Sequence, residues 1–270
     1  MSHSLACKIG TEISGRNDRF GGYPAAEYHG DVKPIREIRE FHGHSAAARQ
    51  SAYVYGASAL LAAALFELYL RPFRVFGRQN IPSDGGVFII ANHTSGLDPF
   101  IMGHAIPNRA VGGPGKIELF GNALVAAYMR RLGIFPLRRS QIDPASVRAM
   151  VELYRQGRIV LVFPEGGRSR SGELKEFDTG LARLLIKLKA PIIPAGIAGA
   201  REALPMGTLI PKNAGGIAVS FGQPFELDSF YGSKPTEEAI QAATTCLRDK
   251  VREQVECARG ERRRVGAHVR

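Results

Sequence analysis

The sequence predicts an α/β fold: a mixed, mostly parallel central sheet of about seven strands flanked by helices, with an apolar helix on its N-terminal side. Three observations carry this. From residue 73 onward, short apolar runs alternate with longer stretches of helical periodicity, the pattern of successive βαβ units. Several of the short runs are apolar almost without interruption, as expected for strands covered on both faces. The chain of 270 residues, 44% hydrophobic and 23% charged, has ordinary globular composition and is long enough for one large core.

Residues 1–50 are polar and Gly-rich without a sustained period, and read as a mostly disordered tail with one short helix at "PIREIREF". His42 and His44 in "HGH" read as surface side chains, since a pair on a flexible tail makes a poor metal site. Residues 51–72 contain "SAYVYGASALLAAALFELYL", long enough for a helix of about 30 Å. Leu60, Leu61, Ala64, Leu65 and Leu68 form an apolar stripe at helical spacing. The alanine content and Glu67 argue against a full span. Arg71, Arg74 and Arg78 follow directly, and an apolar helix with a basic flank can sit in one leaflet of an anionic membrane; the competing reading is an ordinary helix packed on the domain.

The main domain is expected over 73–258. Its strands are "FRVFG", "GGVFII", "RAVGG", "LGIFPL", "RIVLVF", "PIIPAGI" and "GGIAVSF". Its helices are expected over 99–106, 117–131, 144–156, 178–188 and 236–258. Residues 259–270, "RGERRRVGAHVR", read as a frayed basic tail.

Lysine and arginine number 36 against 25 acids, a net charge of +11. That balance suits nucleic acid, an anionic membrane surface or a phosphorylated substrate. No aromatic-rich basic strand or recognition motif supports nucleic acid. Cys7, Cys246 and Cys257 are odd in number, lack metal-type spacing and read as free thiols of a reducing compartment. The first residues hold no apolar run of signal length, so secretion is not expected. Together with the helix at 51–72, this points to the cytoplasmic face of a membrane.

Two stretches carry chemistry. In "NHTSGLDP", Pro99 fits the first turn of a helix and Asp98 its N-cap. With Gly96 bending the link, Asp98 can reach the His93 imidazole, fix its tautomer and make it a general base near neutral pH. The competing reading is a capping aspartate beside a loop histidine. No Gly-x-Ser-x-Gly elbow is present, and Ser95 reads as holding the loop, so the nucleophile is expected to come with the substrate, as an alcohol. In "RIVLVFPEGGRSRSG", a strand leads to Glu165, Gly166, Gly167 and Arg168, where glycine N–H groups and a guanidinium suit an anion. "GGPGKIELF" repeats glycines before a cation, Lys116, and "FPLRRS" adds Arg138 and Arg139. Ligands of doubly wound folds gather at the carboxyl ends of strands.

These blocks, in this order, resemble the glycerolipid acyltransferase family, bacterial 1-acylglycerol-3-phosphate acyltransferases in particular. "NHTSGLD" resembles its first block, "KIELF" its second, "FPEGGRS" its third and "APIIPAGI" its fourth. Gly167 stands where the family usually has threonine, and the long polar head is unlike the minimal bacterial form. The resemblance implies that His93, partnered by Asp98, takes the proton of an acceptor hydroxyl, which attacks an acyl thioester with no acyl-enzyme. Glu165, Gly166, Gly167 and Arg168, helped by Lys116 and Arg138, would hold the phosphate and glycerol of a lysophospholipid. The donor would be acyl-coenzyme A or acyl carrier protein, with no metal or tightly bound cofactor. Glycerol 3-phosphate or another lyso-lipid as acceptor, and a thioesterase or lysophospholipase using the same pair, are the alternatives.

Overall fold

The computed structural model describes residues 70–137, 144–231 and 235–268. The tail at 1–50, residues 51–69 of the expected apolar segment, Cys7, Arg138 and Arg139 lie outside them. All seven expected strands form: β1 (Phe73–Phe76), β2 (Val87–Ala91), β3 (Val111–Lys116), β4 (Ile134–Leu137), β5 (Ile159–Val162), β6 (Ile192–Ala198) and β7 (Ile217–Phe221). They make one sheet in the order β1-β7-β6-β2-β5-β3-β4. Among the seven described strands, β6 and β7 pair antiparallel and every other neighbouring pair is parallel. Strands β6, β2, β5, β3 and β4 are therefore parallel neighbours, and their C-terminal ends share one edge.

Alternation along β2 shows how the layers are built. Val87, Ile89 and Ala91 face one core with Ile101, Met102 and Ala105 of α1 (Asp98–Ala105). Phe88 and Ile90 face the other. That second core is closed by α3 (Pro144–Arg155), α4 (Thr179–Leu188) and α6 (Glu237–His268). A period-2 strand apolar on both faces needs helices on both sides, which is why these runs are continuously hydrophobic. Two shorter helices, α2 (Ala123–Arg131) and α5 (Ala200–Ala203), complete the set. Among the described residues no helix is long and apolar enough to cross a membrane.

Three expectations are corrected. The helix expected over 117–131 is split into a 3-10 turn, Ile117–Phe120, and α2. Gly121 and Asn122 intervene, and the Asn122 side chain accepts from Leu124 N and Val125 N, starting a new helix. The frayed tail at 259–270 is instead the end of α6, which continues to His268. It is tied down there: Arg259 Nη2 donates to Gly172 O at 2.9 Å, and Arg262 Nε to Gly216 O at 2.9 Å. The glycines of "GGPGK" form strand β3, not an anion-binding loop. A Cβ on Gly113 would lie 2.2 Å from Leu161 O, so only glycine lets these backbones meet.

Candidate active site

His93 leaves the C-terminal end of β2, and Asp98 opens α1 as its first residue with Leu97 as N-cap, one position later than the sequence suggests. Asp98 is fully buried. Its Oδ2 accepts from His93 Nδ1 at 2.8 Å, Thr94 N at 2.6 Å and Ser95 N at 2.8 Å. Its Oδ1 is buried without a donor. An ionised carboxylate only accepts, so the proton of the His93 bond sits on Nδ1 and Nε2 keeps its lone pair. The ring is stacked on Phe163 at 4.3 Å between centroids, and its side chain is 19% exposed. The imidazole is thus fixed in tautomer and plane while one side remains open.

Ser95 is a structural residue. Its Oγ donates to Leu204 O at 2.9 Å and accepts from Leu97 N at 3.2 Å, and the residue is fully buried. The loop that carries His93 is anchored from below by Asn92. Its side chain donates to Ile197 O and accepts from Ile197 N, bolting the end of β2 to β6. Asn92 and Phe163 open the blocks "NHTSGLD" and "FPEGGRS", but the sequence assigns neither of them a role.

The loop after β5 docks against the first. Glu165 Oε1 accepts from His93 N at 2.7 Å, its Oε2 accepts from Lys175 N at 3.1 Å, and Ser169 N donates to His93 O at 2.7 Å. Glu165 is buried, and that burial pushes its carboxyl above the usual range against the pull of the two backbone N–H groups. Through these bonds Glu165 joins the loop after β2 to the loop after β5. Lys175 Nζ closes the turn by donating to Glu165 O at 3.0 Å and Gly167 O at 3.3 Å.

Arg168 is exposed and close to His93. A Cβ on Gly96 would lie 3.6 Å from Arg168 Nη1. No described residue accepts from its guanidinium, nor from the N–H groups of Gly167 and Arg168. Gly166 turns the chain at φ 64. Nothing lies within 4 Å of a Cβ on Gly167, so the threonine usual in the resembled family would fit there. Lys116 ends β3, two strands away, exposed and 3.1 Å from Glu118. Arg138 follows the last residue of β4 but lies outside the described residues.

A histidine oriented by a buried carboxylate, next to a cation with no acceptor among the described residues, has the geometry of a general base toward a substrate-borne group. Residues 72–198 match the family model described as Acyltransferase, and the chain is an O-acyltransferase. It is 27% identical over 180 residues to a 1-acyl-sn-glycerol-3-phosphate acyltransferase of Bacillus subtilis (strain 168), across 67% of this chain and 86% of that one. It is 29% identical over 163 residues to the chloroplastic enzyme of that name, BAT2, from Brassica napus, across 58% of this chain and 45% of that one. Its fold is shared with the 1-acyl-sn-glycerophosphate (LPA) acyltransferase PlsC from Thermotoga maritima. That match has a TM-score of 0.61 and 23% identity, covering 80% of this chain and 86% of that one.

Proposed function

We propose that the chain transfers a fatty acyl group from acyl-coenzyme A or acyl carrier protein to the hydroxyl of 1-acylglycerol 3-phosphate, giving phosphatidic acid. The observation that carries this is the oriented His93–Asp98 pair lying beside Arg168, whose guanidinium has no acceptor among the described residues. His93 Nε2 takes the proton as the acceptor oxygen attacks the thioester carbonyl. The C–S bond breaks, and the departing thiolate takes the proton back from the imidazolium. The products are an ester and a thiol, with no bond to the enzyme. Asp98 stabilises the imidazolium while it exists. Arg168, with the backbone N–H groups at Gly167 and Arg168, holds the acceptor phosphate, helped by Lys116 and Arg138; Gly166 shapes that turn. Glu165 acts through the loop that it holds against His93. In this reading residues 51–72 keep the chain at the cytoplasmic face of an anionic membrane.

Steady-state kinetics with Arg168→Ala tests the acceptor assignment. The KM for 1-acylglycerol 3-phosphate is expected to rise about tenfold to a hundredfold, the worth of a charge-assisted contact, with donor KM unchanged. A rise confined to donor KM would place Arg168 at the donor instead.

A further inference from the structure

The segment joining α5 to β7 presents three large apolar side chains within five residues. Leu209 is 94% exposed, Ile210 76% and Met206 36%. Single exposed aliphatics are normal on a protein surface, but a contiguous cluster marks a contact. Gly207 turns the chain at φ 89 within this cluster. At its base is a hollow of about 400 Å³ lined by Arg201, Glu202, Pro205, Lys212, Asn213 and Ala214. Glu202, its one carboxylate, lies 3.7 Å from Arg262 Nη1. The Arg201 guanidinium and Lys212 ammonium have no acceptor among the described residues.

The loop belongs to the same edge as the active site. Leu204 O accepts from Ser95 Oγ, and a Cβ on Gly172 would lie 3.2 Å from Arg201 Cδ. It is therefore tied to both the His93 loop and the Arg168 loop.

An aliphatic tip above a cationic collar matches the boundary between acyl chains and anionic headgroups, where the tip is buried and the cations meet phosphates. A second copy of the chain is a poor occupant, because each copy carries +11. We infer that the loop at 206–212 docks on an anionic lipid surface, with Leu209 and Ile210 inserted and Arg201 and Lys212 at the headgroups. It is a contact separate from residues 51–72, and it brings the His93 edge to the surface where a lyso-lipid lies. Its purpose rests on the acyl-transfer reading; the contact itself does not.

The chain has no tryptophan, so Leu209→Trp places a single reporter at the tip. The full chain is titrated with vesicles of phosphatidylcholine and phosphatidylglycerol, without donor or acceptor, so the result is independent of any catalytic claim. The emission is expected to shift to the blue on binding and to be quenched by brominated acyl chains. Leu209→Asp with Ile210→Asp should weaken vesicle partitioning about tenfold or more. Any of four results would overturn the inference: no vesicle binding, bound protein with a water-exposed reporter, a blue emission before vesicles are added, or undiminished binding of the double variant.

Discussion

Glu165 shows how much of a side chain's role its position in a motif leaves out. An acid between a proline and two glycines at a strand end suggests contact with a ligand. The fold buries it and gives its oxygens to His93 N and Lys175 N. Nothing local in the sequence signals this, because the partner donors come from loops 72 and 10 residues away. The consequence is measurable. Burial raises the folded-state pKa of Glu165 above its unfolded value, so the native state holds this proton more tightly. Stability falls as pH rises from the ordinary carboxylate range through the raised value. Urea midpoints of Glu165→Gln against pH should show a shallower fall than wild type, and an identical slope would refute the assignment. Asp98 was more legible. Its spacing from His93 announced the pair, although its two backbone bonds and its place inside the helix were visible only in three dimensions.

Elements were legible where the period was strong. All seven strands overlap the runs that predicted them, and the signal was clearest in β2, β5, β6 and β7, which are buried along their whole length. Boundaries failed where a local competitor won: Asn122 capped a second helix inside an expected single one. The basic end of α6 failed for the opposite reason. Arg259 and Arg262 are held by carbonyls of other loops, a tertiary tie that composition does not show. The glycine-rich β3 looked like a phosphate loop because glycines that admit an anion also admit another backbone. Helix α6 and β6 meet in the same way: a Cβ on Gly196 would lie 2.2 Å from Gln254 C. Gly196→Ala therefore forces the helix off the sheet and should cost about 1–3 kcal/mol, read as a lower urea midpoint at unchanged slope. An unchanged midpoint would mean that this packing is looser than described.

Across the whole molecule, cations serve two purposes at opposite edges of the sheet. At the N-terminal edge Arg109 is buried and donates to Pro82 O at 2.9 Å and to Gly157 O at 2.6 Å, while Arg158 Nη2 donates to Leu132 O at 3.1 Å. These arginines stitch loops. At the C-terminal edge Arg168, Arg170, Arg201 and Lys212 have no acceptor among the described residues. The net charge alone could not separate the two uses, since the strand order that sorts them is set by crossover packing. That order is also why blocks far apart in sequence converge: β2, β5, β3 and β4 are consecutive in the sheet and deliver their loops side by side. In the proposed reaction His93 is the base for an acceptor hydroxyl. The most direct test of this role follows thiol release and lipid product from palmitoyl-coenzyme A, with and without 1-acylglycerol 3-phosphate, in wild type and His93→Ala. Acceptor-dependent release with phosphatidic acid as product is expected, lowered about a hundredfold to ten-thousandfold in a variant that keeps its circular dichroism. Undiminished transfer by His93→Ala, or acceptor-independent release of free fatty acid by wild type, would contradict it.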